Sequence, residues 1–185
     1  MENKEQTIEE AALRLFHRHG YTKVTMMDIA EASGMSRPSL YSAFRNKEAI
    51  FAALMERHGE KSERDTQEQV ARRKNLSDKL ECIFDIWIIQ PFASVIDSEN
   101  GADLLANTST YAPEAAADLY ARFERQLVGV LKPEMSRKRG MATQDLAHIL
   151  MMATKGLKAS TATLAELRRM TDGLIAMAVA TVGKS

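Results

Sequence analysis

Between Thr25 and Lys47 the chain reads TMMDIAEASGMSRPSLYSAFRNK, and several of these side chains are of types that can meet nucleic acid. Arg37 carries a planar fork of donors that suits a bidentate contact to guanine O6 and N7. Ser39 can reach either a base or a phosphate. Lys47 falls in the first turn of a helix, where a cation, the helix dipole and free backbone N–H groups together suit a phosphate. Thr25 can offer its hydroxyl or its N–H to a phosphate, or cap a helix, and the two roles are compatible. Ser36, at a helix start beside Arg37, belongs to the same surface.

Such groups read DNA only if the backbone presents them together. Thr25 and Asp28 have the spacing of a capping box, and Met26, Ile29 and Ala30 then share one helical face. Gly34 can take positive φ, Met35 offers an apolar plug, Ser36 caps the next helix, and Pro38 sits in a first turn that tolerates it. That second helix buries Leu40 and Phe44. This is the build of a helix-turn-helix, whose second helix enters the major groove with its N-terminal residues toward the base edges. Ahead of it, Ile8, Ala12, Leu15 and Phe16 form the stripe of a helix that stops at Gly20. The spacing therefore predicts a three-helix DNA-binding head over residues 1–47. Asn46 caps a fourth, connecting helix from about 47 to 74, which buries Ile50, Phe51 and Leu54 and turns polar and solvated after Glu56.

Residues 75–185 read as a larger helical body. Ser77 is the expected cap of a helix in which Leu80, Ile83, Phe84, Trp87 and Ile88 share a face. Added Ile86 and Ile89 make its end apolar nearly all round, so it is buried on several sides. Pro91 kinks or ends it, residues 97–101 form a loop, and a short helix follows over 102–107. Pro113 opens a helix with the stripe Ala116, Leu119, Phe123, Leu127 and Val130. Residues 132–143 are a second loop. Two helices close the chain, one with Leu146, Ile149, Leu150, Ala153 and Leu157 on a face, the other with Leu164, Leu167, Thr171, Leu174, Ala178 and Val182. A stripe spaced by threes and fours seals a helix–helix seam, within one chain or between two. Periodicity alone leaves both open. No strand pattern or repeat is evident, and the fold class is all-α.

Composition sets the outer limits. The 185 residues, 45% hydrophobic, allow one large or two small domains with a real core. No run approaches the roughly 20 apolar residues of a membrane span, and MENKEQTIEEAA lacks a signal-peptide core. The single cysteine, Cys82, excludes an internal disulfide framework and fits a reducing interior as a small buried hydrophobe. A cytoplasmic protein with no membrane partner, nucleoid-associated when bound to DNA, is the expectation. Net charge is zero, yet residues 14–47 hold six basic groups (Arg14, Arg18, Lys23, Arg37, Arg45, Lys47) against Asp28 and Glu31. Phosphate attraction depends on charge within a Debye length, about 8 to 10 Å at physiological salt, so global neutrality does not oppose DNA binding.

Phe16, Gly20-Tyr21, Thr25, Asp28-Ile29-Ala30, Ala32, Gly34, Ser36, Leu40-Tyr41, Phe44 and Lys47-Glu48 together resemble the N-terminal signature of the tetracycline repressor family of bacterial transcription regulators. The resemblance covers about the first 55 residues, with order and spacing both reproduced. It implies a homodimeric repressor with an all-helical ligand-binding and dimerisation body. The last two helices would pair with a second copy, placing Leu146, Leu150, Leu157, Leu167, Thr171, Leu174 and Ala178 at the seam. It further implies that Arg37 contacts bases and that the Tyr41 hydroxyl meets the DNA backbone. Met27, Ser42 and Ala43 depart from the larger or more polar side chains frequent there, leaving fewer base contacts, although Met27 and Ala43 can touch a thymine methyl. A small-molecule effector site is implied in the body, with Phe84, Trp87, Phe92, Tyr111, Phe123 and Met151 as lining candidates. Each is equally readable as plain core.

Other classes have less in their favour. There is no HExxH, no phosphate-binding glycine loop and no nucleophile motif, and Cys82 has no histidine near in sequence, so no catalytic residue and no cofactor are expected. Asp145 and His148 share a face, but two ligands do not make a metal site. His17 and His19 point to different sides. Asp78, Glu81 and Asp85 lie along one stripe and read as a solvent face. The alternatives are a constitutive or architectural DNA-binding factor of the same fold without an effector, and a helical dimer that has lost DNA binding. The retained Arg37, Tyr41 and Lys47 argue against the latter.

Overall fold

A computed structural model describes residues 4–96, 98, 100–135 and 141–183. Helices follow in the order α1 Lys4–His19, α2 Met26–Ala32, α3 Arg37–Ala43, α4 Lys47–Val70, α5 Leu76–Phe84, a π turn Asp85–Ile89, α6 Gln90–Ile96, α7 Gly101–Tyr111, α8 Pro113–Leu131, α9 Thr143–Ser160 and α10 Leu164–Gly183. No strand occurs among the described residues, and the chain is all-α. It divides into two compact units, one of Met1–His58 with Val95–Leu119, the other of Gly59–Ser94 with Tyr120–Ser185.

The first unit is built on the expected stripes. Ile8, Ala12 and Phe16 of α1 meet Ile29, Leu40, Phe44, Ile50 and Phe51 in one buried cluster. Gly20 at φ 82° and Gly34 at φ 66° close α1 and turn α2 into α3, a conformation open to glycine at no steric cost. Later residues complete this core, which the sequence had not indicated: Leu104, Ala112 and Ala116 join the cluster, and Tyr111 stacks on Tyr21 with ring centroids 4.0 Å apart. The Asn100 side-chain amide donates to the Arg18 carbonyl at 3.0 Å, serving an otherwise open end of α1. Glu9 of α1 is buried and pairs with Arg57 of α4, Nε to Oε2 2.8 Å.

The second unit differs from expectation in three places. Asn75, not Ser77, caps α5: its side chain accepts from the Asp78 N–H at 2.9 Å, while the Ser77 hydroxyl turns to Glu81. Pro91 neither ends nor sharply breaks the central helix. A proline lacks an N–H and its ring crowds the carbonyl four residues back; here the helix widens just before it, and the Gln90 N–H donates to the Asp85 carbonyl, five residues back. Ile86, Trp87, Ile88 and Ile89 are all buried in that turn, as the all-round apolar pattern requires. Third, the polar part of α4 is solvated on one side only. Ser62 and Thr66 are buried, and the Thr66 hydroxyl accepts from Trp87 Nε1 at 2.8 Å. Of the 132–143 loop, residues 136–140 lie outside the described residues, as do 97 and 99 of the earlier one. The short helix foreseen at 102–107 runs the full length of α7.

Candidate nucleic-acid interface

Local chemistry builds the helix pair. The Thr25 hydroxyl accepts from the Asp28 N–H at 3.3 Å, while the Thr25 N–H and hydroxyl each donate to Asp28 Oδ2 at 2.8 Å, a complete capping box. These two donors hold the Asp28 carboxyl below the usual carboxylate range. Ser36 caps α3 by accepting from the Ser39 N–H at 3.3 Å, with Pro38 in the first turn. Leu40 is fully buried beneath and fixes the roll of α3, which leaves Arg37, Pro38, Tyr41 and Ser42 outward.

Arg37 and Tyr41, one turn apart, form a unit on this outer face. The guanidinium lies 5.7 Å from the Tyr41 ring centroid, a cation–π distance, and the tyrosine is 44% exposed. Ser39 is half-buried behind them, and Met27 on α2 stands 64% exposed. Arg14, Arg18, Lys23 and Arg45 are exposed on the same unit. Lys47 behaves differently: its ammonium donates to the carbonyls of Tyr21 at 2.8 Å, Thr22 at 3.3 Å and Val24 at 3.1 Å, and lies 4.4 Å from the Tyr21 ring centroid. All three of its donors hold the segment between α1 and α2, so the side chain is a strap inside the head. The backbone N–H groups at the start of α4 are what this helix end still offers to an anion.

The candidate effector residues are divided between the two units. Tyr111 belongs to the first unit's core, against Tyr21 and Phe51. Phe84, Trp87 and Phe123 pack on one another in the second unit, with centroids 5.6 Å and 6.0 Å apart, and Phe92 and Met151 are buried there. Phe84 lines a cavity that also takes in Asp78, Glu81 and Asp85, the stripe expected to be plain solvent face.

The seam residues require correction as well. Leu146, Leu150, Leu167, Thr171 and Ala178 are buried within the chain itself, and Leu157 and Leu174 half-buried, because α10 packs on α5 and α9 through that face. Beside that face are exposed apolar groups: Ile149, which the stripe had placed with Leu146 and Leu150, and Met152 on α9, 51% and 52% exposed, and Met177 on α10, 60% exposed, with Gly173, Ala176 and Ala180 exposed near it. Small residues interrupted by methionine were the signal for this second stripe. His148 pairs with Glu124, Nδ1 to Oε2 3.2 Å.

Residues 8–54 match the family model described as bacterial regulatory proteins, tetR family. Over 147 residues the chain is 27% identical to the HTH-type transcriptional repressor ComR of Escherichia coli K12, spanning 76% of this chain and 69% of that protein. It is 34% identical over 74 residues to the HTH-type transcriptional regulator TtgR of Pseudomonas putida, spanning 40% of this chain but 33% of that one. In fold it is similar to the fatty acid degradation regulator FadR of Bacillus halodurans, with TM-score 0.77, 16% identity and 95% of each chain covered. A TetR-family regulator of Agrobacterium tumefaciens superposes with TM-score 0.69 at 20% identity, covering 94% of this chain and 96% of that one. Among the described residues no helix is long and apolar enough to cross a membrane.

Proposed function

Because residues 8–54 match the model of the tetR family of bacterial regulatory proteins, we propose that this chain is a regulator of that family, a homodimeric repressor of transcription that reads a pseudo-palindromic operator and releases it when a small molecule binds the body. The observation that carries the DNA reading is the Arg37–Tyr41 pair, held outward at the start of a recognition helix whose roll Leu40 fixes. Arg37 reads guanine, Tyr41 and the backbone at the starts of α2 and α4 meet phosphates, and Met27 touches a thymine methyl or lies over the sugar edge. Ser36 and Ser39 support the helix start and sit close enough to it to add phosphate contacts.

The second copy docks on the stripe of Ile149, Met152, Gly173, Ala176, Met177 and Ala180. Exposed apolar groups gathered on two adjacent helices are what a four-helix seam buries, and small residues let the backbones approach. A dimer of this kind places two recognition helices about one DNA turn apart, or a multiple of it. A ligand shifts such a dimer only by its differential affinity for the conformations that do and do not fit the operator.

The test is selection from a random double-stranded DNA pool at physiological salt. Recovery of a two-fold symmetric sequence supports the reading. A footprint lacking that symmetry counts against the dimer, and retention of DNA without sequence preference favours a constitutive architectural factor of the same fold.

A further inference from the structure

The second unit contains a cavity of about 350 Å³ that opens to solvent between the end of α4, α5, the π turn and α10. Its volume lies in the range of small-molecule sites, while its lining is more polar than apolar. Phe84, Ile89 and Ile175, all buried, give it an apolar floor. Four carboxylates line its walls, Asp78, Glu81, Asp85 and Asp172, against two guanidiniums, Arg73 and Arg168.

The charges are unequally occupied. Asp85 is engaged by Arg168, Nη1 to Oδ1 3.7 Å, and by Gln90, whose side-chain amide donates at 2.7 Å. The Asn75 amide donates to Asp78 at 3.0 Å, and the Ser77 hydroxyl to Glu81 at 3.0 Å. Asp172 is exposed and forms no hydrogen bond or ion pair among the described residues. An anion entering here meets more negative than positive charge, and a neutral molecule would desolvate the carboxylates without replacing their water.

We propose that this cavity binds a small organic cation with an apolar body, its charged head at Asp172 and Glu81 and its body over Phe84, Ile89 and Ile175. The rim is open to solvent, so binding weakens as salt rises. α10 carries both Asp172 of this cavity and Met177 of the exposed stripe, so occupancy bears on the helix expected to meet a second copy. That last link, and only that link, rests on the ligand-released dimer of the preceding section.

The experiment uses the full chain and three isosteric probes: benzamidinium, neutral benzamide and anionic benzoate, titrated at low salt with backbone amide NMR shifts as readout. The expected result is saturable binding of benzamidinium with shifts at Phe84, Ile89 and Ile175, at least about tenfold tighter than benzamide or benzoate. Affinity should fall at least about tenfold in the Glu81→Gln, Asp172→Asn double variant. Both side chains are exposed, so the fold is retained, as circular dichroism would verify. Absence of benzamidinium binding, equal binding of benzoate, or an unchanged affinity in the double variant would overturn the proposal. Operator affinity with and without benzamidinium is measured separately. A bound cation that leaves it unchanged establishes the site and removes the link to DNA, while a change lost in the double variant supports both.

Discussion

Lys47 sits over the Tyr21 ring at 4.4 Å and gives its ammonium hydrogens to three carbonyls, one of them that of Tyr21 itself. The first residue of α4 thereby fixes the segment that launches α2. Hydrogen bonds to a charged group are each worth about 1.5–3 kcal/mol. Lys47→Met is expected to lower the melting temperature and weaken operator binding at every salt concentration alike. A direct phosphate contact would instead reduce the slope of log affinity against log salt by about 0.9 per contact. An unchanged slope with a lower melting temperature identifies the strap; a shallower slope at unchanged stability would show that the ammonium leaves the carbonyls for DNA.

Arg37→Ala should weaken binding to the selected operator by about 1–3 kcal/mol per lost bidentate contact and relax preference at one base pair in each half-site. The exposed side chain supports no core, so thermal stability should not move. Uniform weakening across all sequences would reassign Arg37 to phosphate.

For the exposed stripe, Met177→Asp should yield a monomer in sedimentation velocity while the helical spectrum is kept. Its operator affinity should drop with the loss of the second head. By contrast Leu150→Ala, in the interior, should cost about 2–5 kcal/mol of stability. A Met177→Asp protein that stays dimeric would place the second copy elsewhere.

Burial raises the Glu9 carboxyl above its ordinary value, and Arg57 opposes this only in part. A carboxyl raised in the folded state contributes stability that is fully present below the unfolded value near 4.5 and is lost as pH rises through the folded value. Glu9→Gln should therefore flatten the fall in stability above pH 4.5. Arg57→Met should destabilise the head more at pH 7 than at pH 4.5, since at neutral pH it leaves a buried carboxylate without its partner. Thermal melts across that range, for the three proteins side by side, decide it.

Lys158 shares the Tyr120 ring with Lys155, at 5.6 Å and 5.4 Å, and burial brings its amine down to about 8. The unfolded chain then binds more protons than the folded one between about 8 and the ordinary 10.5, so stability rises with pH across that window. Lys158→Met should remove the rise and increase the melting temperature at pH 7. If the wild-type melting temperature is level or falls from pH 8 to 10, the amine is not held neutral by the fold.

What the sequence made legible was local. The Thr25–Asp28 box, the Ser36 cap, Gly34 and the buried stripe through Leu40 are relations across a few residues, and each stands where its spacing put it. Relations across many residues were not legible. Nothing near Tyr21 announces that Tyr111 will stack on it, and nothing near Lys47 shows that its charge will turn toward a segment more than 20 residues earlier. The last two helices show the same limit in another form. The stripe of large residues, Leu146 to Leu157 and Leu167 to Ala178, is the stronger pattern and serves the chain's own core, whereas the weaker one, small residues with Met177, is left outside. Hydrophobic periodicity tells that a face is buried, not against what.

The widened turn at Asp85–Ile89 also bears on how the chain tolerates change in length. One residue added to a regular helix rotates all that follows by about 100° and would swing Phe92 off its buried face. A five-residue turn already holds one more residue than a four-residue step needs, and the excess is confined there. Deleting a single residue within 85–89 would let the helix tighten to ordinary pitch while the faces before and after it keep their bearing, with Pro91 then meeting the full clash that the wide turn relieves. Length variation among related chains, and any natural loss of that proline, should concentrate at this one turn.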